Sequence, residues 1–353
     1  MNYPKTITFA FDIEGCHNQC RHCWLGSPPN GKIDKNEFIY FSKKIRDELP
    51  REIKLCINSW WREPDISSEY KEFWELEKKL SDENLATRFE LLSSWRLVND
   101  LSYAKWACDI GTTKCQLSFF GGRETTDWAS QRSGSFDENI NATKRLLDVG
   151  IKPRWQIFLL KNTINSLDEI LREIDELKLD ENTMELFCQT PTPDGRSYNL
   201  TRERINKNDL HIVPEYLLHE TTKYFGKNYM EVLGKPESSL CNLFKMYTSP
   251  LNYTPDPVAF FITYNMDVYS NLTEIAQWWK LGNLRDDNVY DIFNRYIEDK
   301  TFGLYVNSNV KINNLCRVYG DTYNDALYSE LAILLKWIHE YCRDNYRGEP
   351  PKC

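Results

Sequence analysis

The sequence predicts an α/β protein: a partial, TIM-like (β/α)6 barrel followed by a smaller C-terminal α+β domain. Three observations predict it. Short runs rich in β-branched and aromatic residues alternate with longer amphipathic runs as far as Pro191. Two of the longer runs open with a serine three residues before a glutamate, which marks a helix start. Beyond Pro191 the alternation stops and a turn-rich stretch, QTPTPDGRSYN, intervenes.

The expected strands are residues 6–12, 53–59, 88–94, 115–121, 154–160 and 184–189. The two well-marked helices start at Ser135, with Glu138 as its capping partner, and at Ser166, with Glu169; the first ends at Gly150. Strands alternating with helices imply parallel pairing, and such folds place their chemistry at the C-terminal ends of strands. Further on, PVAFFITYNMDVYS reads as strand and DALYSELAILLKWIHEYCRDNY as a final helix. The expected division is a barrel over residues 1–200 and a second domain over 201–353.

Composition narrows the function. The net charge is −8 and no Lys/Arg tract stands out, so no nucleic-acid partner is expected. No run of apolar residues is long enough to span a membrane. The start, MNYPKTITFAFD, has none of the layout of a signal peptide, and a cytoplasmic location is expected. In a reducing compartment the eleven cysteines read as thiols or metal ligands rather than as a disulfide framework.

Three of them, Cys16, Cys20 and Cys23, fall in the loop after the first strand. Soft thiolates suit zinc or an iron–sulfur cluster. A closed zinc site wants four ligands, and His17 or His22 would have to fold back inside a tight loop to complete it. A four-iron cluster held by three thiolates keeps one iron open to a second molecule.

This C-x3-C-x2-C pattern after a first strand resembles the radical S-adenosylmethionine (SAM) superfamily. SWWREPD resembles its Gly-Gly-Glu motif, with Trp61 and Arg62 in place of the glycines and Glu63 and Pro64 kept. The stretch from Leu117 to Ile151 is similar to its fourth strand and following helix, and Pro193–Arg196 to a loop that closes the barrel. The resemblance covers roughly residues 5–200. It implies one [4Fe-4S] cluster on Cys16, Cys20 and Cys23, with S-adenosylmethionine on the open iron and a 5′-deoxyadenosyl radical as the product of its cleavage. It also implies a flavodoxin- or ferredoxin-type electron donor. Glu63 would meet the SAM ammonium, Arg132 its carboxylate, Ser118 the same polar end, and His22 the adenine. Trp24, Trp60 and Trp61 cluster beside these loops, as a radical shield or as core.

The C-terminal region resembles a degenerate SPASM/Twitch extension. GNLRDDNVYDIF and ITYNMDVYSNL match pieces of it, but Ser270 and Asn271 stand where a cysteine would follow. Cys241 and Cys316 remain, with Cys342 and Cys353 near the end; they read as buried thiols, as ligands of an auxiliary cluster, or as hydrogen donors to a substrate radical. Only fifteen residues precede Cys16, so a leader-binding domain is expected to be a separate protein. The expected substrate is a small polar metabolite, sugar- or aminocyclitol-like, with epimerisation or cross-linking of a ribosomal peptide as the alternative. Two other classes stay open: a non-catalytic iron–sulfur or zinc protein, and a group-transferring SAM enzyme.

Overall fold

The computed structural model describes residues 4–26, 28–82, 90–270 and 274–348. Its centre is β1 (Thr6–Phe11), an apolar strand with every residue after Thr6 buried. A strand buried on both faces needs a neighbour on each edge, because unpaired backbone groups in the interior are costly. β2 (Lys54–Asn58) lies parallel on one side, with Thr6 opposite Lys54 and Ala10 opposite Asn58. The other side is taken by a strand about 250 residues later in the chain.

β3 (Lys114–Phe119), β4 (Lys152–Phe158) and β5 (Glu185–Gln189) form a separate, parallel three-stranded sheet. The third barrel strand expected at residues 88–94 is not found as such. Its first residues lie outside the described residues, and Ser93 instead caps the short helix Ser94–Asn99 through the Arg96 amide. The barrel strands therefore stand as two arcs, and the barrel is partial, as expected.

Both predicted helices form, as Ser135–Asp148 and Leu167–Glu176, but neither uses its capping box. Ser166 and Glu169 reach outward and accept from the amides of Gly122 and Arg123, capping the neighbouring helix Arg123–Ser130. Ser135 bonds Ser130 and the Arg132 carbonyl, and Glu138 takes Arg132 itself. The signal located the helices correctly while tertiary contacts redirected the caps.

A two-residue strand β6 (Lys235–Pro236) precedes β7 (Val258–Ile262), which is the second parallel neighbour of β1, with Ile7 opposite Val258 and Phe11 opposite Ile262. β8 (Asp267–Ser270) and β9 (Lys280–Asn283) continue this sheet antiparallel, giving the order β2-β1-β7-β8-β9. The final helix runs Glu330–Asn345, after β10 (Leu327–Tyr328) pairs with β6. Asn271 and Cys353 lie outside the described residues. No helix among the described residues is long and apolar enough to cross a membrane.

One apolar core joins β1 and β2 to β7, β8 and the final helix; a second joins β3–β5 to their helices. In the first, Phe9 meets Phe260 edge-on at 5.2 Å, across the β1–β7 seam. Replacing Phe9 by Ala would leave a cavity in that seam. It is expected to lower the stability of the metal-free protein by about 3–5 kcal/mol, read from urea denaturation.

Candidate functional site

β1 delivers its chain end to the site. Asp12 follows it, donates its amide to the Ile262 carbonyl at 2.8 Å, and opens a loop that returns at Ile33, whose amide bonds the Ile13 carbonyl at 2.8 Å. Within the loop the Asn30 side chain holds both backbone groups of Cys16, accepting at 3.1 Å and donating at 2.9 Å. Gly15 (φ +80°) lies against Asn30 and Arg62, and any Cβ there would collide with both. A turn closes from the Cys23 amide to the Cys20 carbonyl, and the Arg196 amide bonds the Cys23 carbonyl at 2.9 Å. Gly195 (φ +55°) lets that second loop approach, because a Cβ would meet the backbone of Cys23, Trp24 and Gly26.

Cys16, Cys20 and Cys23 thus line one cavity of about 470 Å³, with His22, Glu63 and Arg196. A second, of about 190 Å³, is lined by Cys20, His22, Glu63, Ser118 and Arg132. A third, of about 400 Å³, is lined by His17, Glu63, Trp95 and Arg132. Glu63 borders all three, so the predicted cluster cysteines and the four predicted SAM contacts are brought together. Cys241 and Cys316 are not. They sit on the helices Glu237–Phe244 and Ile312–Tyr319, buried against each other with the Cys316 thiol 3.5 Å from the Cys241 carbonyl, and line none of these cavities. A cavity of about 850 Å³ also lies elsewhere, between β9 and the residues around Phe302.

The polar groups at the site carry little net charge. Burial, then Glu63, pushes the Cys16 thiol up to about 12. Burial, then Cys23 and Glu63, pushes Cys20 up to about 11, and burial raises Cys23 as well. All three are therefore thiols in the metal-free protein. Burial raises Glu63 to about 7 against the Ser93 hydroxyl, with Glu138 raising it further. Burial lowers His22 to about 4, so its ring is neutral. That ring lies 4.2 Å from Phe120, centroid to centroid, and its Nδ1 has no hydrogen-bond partner among the described residues.

Arg132 is already engaged. Its two terminal nitrogens bond the two Glu138 oxygens at 2.8 and 2.7 Å, and only Nε is left without a partner among the described residues. The sequence reading assigned Glu138 to a helix cap and missed this fork. It also missed Arg62 and Arg196, whose sole signal was a place in a motif.

The donor set fits a cluster better than a single ion. A zinc ion draws thiolates to about 2.3 Å of one point. No three His, Cys, Asp or Glu side chains among the described residues stand close enough for that. Three soft donors lining one cavity of about 470 Å³ suit an iron–sulfur cluster by their chemistry.

Among solved structures, native anSMEcpe with bound AdoMet and the Cp18Cys peptide aligns over 96% of this chain and 97% of its own, with TM-score 0.53 and 14% identity. Native anSMEcpe with bound AdoMet alone aligns over the same shares, with TM-score 0.53 and 15% identity. The chain shares its fold with these structures. At this identity the likeness is one of fold. No family model and no curated protein matches the chain.

In this fold Glu63 is presented by the loop after β2, and Glu77 of the helix Tyr70–Leu80 steadies that loop, accepting from the Ser59 amide at 2.7 Å. Burial raises Glu77 from its ordinary 4.5 to about 7, outweighing two bonds from Ser59. Between those values the folded chain keeps a proton that the unfolded chain has lost. Stability therefore falls as pH rises through this window, and the loss is complete above it. Glu77→Gln keeps an acceptor for Ser59 and removes the titration. Relative to the parent it is expected to gain roughly 1–3 kcal/mol between pH 5 and pH 8, in urea melts of metal-free protein.

Proposed function

We propose that this chain is a radical SAM enzyme that modifies a peptide. The observation that carries the reading is the convergence of Cys16, Cys20 and Cys23 on one cavity that meets Glu63, at the C-terminal end of β1. The fold likeness to a protein solved with both AdoMet and a peptide supports the substrate class. It favours the peptide over the small polar metabolite that the sequence led us to expect.

Bound together, a [4Fe-4S] cluster and S-adenosylmethionine supply one-electron chemistry that ends in removal of hydrogen from a C–H bond. The electron comes from a flavodoxin- or ferredoxin-type donor. Cys16, Cys20 and Cys23 hold the cluster, and since they start as thiols, loading releases their protons. Glu63, poised near neutrality, would accept from the ammonium group of S-adenosylmethionine and be drawn to its ionised form by that cation. His22, neutral and backed by Phe120 and Phe158, offers a flat apolar face to an aromatic base. Ser118 lines the small cavity, and Arg132 would meet a carboxylate through Nε while Glu138 holds the rest of its fork. Trp61 is buried against Phe261 at 4.7 Å and belongs to the core, whereas Trp24 is exposed at the cavity edge. Cys241 and Cys316 have no part in this mechanism. Residues 1–200 would carry the chemistry and 201–353 would extend it.

Anaerobic reconstitution tests the reading. The protein is expected to hold about four irons per chain and, with reductant and S-adenosylmethionine, to release 5′-deoxyadenosine. Alanine at Cys16, Cys20 or Cys23 should abolish both. Stoichiometric iron without 5′-deoxyadenosine under several reductants would point to a non-catalytic iron–sulfur protein, and methylthioadenosine or S-adenosylhomocysteine in its place to group transfer. Glu63→Gln should weaken S-adenosylmethionine binding about tenfold, as expected for one charge-assisted hydrogen bond, while iron content holds.

A further inference from the structure

Trp61 and Arg62 stand where the motif they resemble has two glycines, and the reading above gives Arg62 no task. Its placement is specific. Trp61 packs into the core against Phe261, and the Arg62 guanidinium lies over the Trp61 ring, 5.8 Å from its centroid, beside the cysteine loop. Arg62 Nε and Nη2 both donate to Asp12 Oδ2, at 2.9 and 2.6 Å. Nη1 donates to the Pro28 carbonyl at 2.8 Å, and Nη2 to the Pro29 carbonyl at 3.3 Å. The side chains of this ion pair are only 6% and 4% exposed. Asp12 begins the loop and Pro28–Pro29 lie on its returning leg, so one planar fork ties both legs together. The three cysteines lie between the tied points. Arg62 also lines their cavity and packs against Gly15, and Asn30 adds a second tie to Cys16 just beyond.

We propose that Arg62 is a positioning residue that clamps the cysteine loop in its ligand-presenting shape before anything is bound. The proposal rests on the cluster reading for its purpose, but the clamp itself is a property of the metal-free chain. A fixed fork matters here more than a charge. Lysine would keep the attraction to Asp12 but could not address Asp12, Pro28 and Pro29 together. The proline carbonyls suit the role because proline stiffens the returning leg while leaving its oxygens free to accept.

The test uses full-length protein with Arg62→Lys, Arg62→Gly, and Asp12→Asn combined with Arg62→Gln, which removes the pair without stranding a buried charge. Amide exchange of metal-free protein is followed peptide by peptide, and iron per chain is counted after anaerobic reconstitution with ferrous iron and sulfide. Arg62→Lys and the double variant are expected to exchange about tenfold faster across residues 13–33 with the rest of the chain unchanged, and to take up less iron than the parent. Asn30→Ala should give a milder change in the same peptides and serves if the Arg62 variants fail to fold. Unchanged protection in those peptides would overturn the clamp and leave the cluster reading intact. Faster exchange spread over the whole chain would also overturn it, making Arg62 a general prop of the fold. If the parent takes up no iron while exchange at 13–33 still depends on Arg62, the clamp stands and the cluster reading falls.

Discussion

The parallel pairing of β1 on both edges is the constraint from which the rest of the molecule follows. Ile7, Thr8, Phe9, Ala10 and Phe11 are all buried, so the strand has no face for solvent and no edge it can leave open. β2 satisfies one edge from nearby in sequence and β7 the other from far away. Once both are in place, the chain leaving β1 can go only one way, over the ends of β2 and β7, and Asp12 is fastened there to Ile262. The cysteine loop inherits its position from that junction. The C-terminal half is thus a structural partner of the loop that carries the proposed chemistry, since its strand forms one wall beneath that loop.

Local patterns made part of this legible. Three cysteines at C-x3-C-x2-C after an apolar strand marked the site, and Glu63, Ser118, Arg132 and His22 do converge on it. Five of the six expected barrel strands form, since each is a short run that is nearly continuously apolar, as in β1, or alternates apolar with polar residues, as in β3. The features that escaped are those that depend on what comes near in space. Strand 258–262 was recognisable as a strand, but nothing in its composition says that it pairs with residues 7–11. Ser166 and Glu169 have the spacing of a capping box and cap a different helix, since the Gly122 and Arg123 amides lie closer to hand. Arg62 looked like the loss of a glycine. Its meaning depends on Asp12, Pro28 and Pro29, which only the folded loop brings within its reach.

The electrostatics of the site have a common logic. Three thiols, a neutral imidazole and a carboxyl titrating near neutrality share a set of adjoining cavities, and in each case burial is the dominant cause. A site of this kind can be dry and stable without its ligands because it asks the interior to hold few charges. On the proposed function the charges would arrive in pairs with the cofactors, thiolates against iron and the Glu63 carboxylate against an ammonium group. Each ligand then stabilises an ionisation that burial alone opposes.

The arginines are the exception, and beside the Arg62–Asp12 pair Arg132 shows how the pocket handles a charge it cannot discard. A guanidinium stays protonated in any protein environment, so it must be compensated from the moment the chain folds. Glu138 does this with a two-point contact at 2.7 and 2.8 Å, and Glu138 is itself mostly buried. The fork that would otherwise grip an incoming carboxylate is therefore occupied in the resting protein. Two consequences follow for recognition. On the proposed function a ligand carboxylate would meet Arg132 edge-on at Nε, or compete with Glu138 for the terminal nitrogens. If it displaced Glu138, it would leave a carboxylate stranded beside Glu63, which Glu138 already raises. On the proposed function the edge-on approach would avoid that cost, and Ser118 lines the same small cavity.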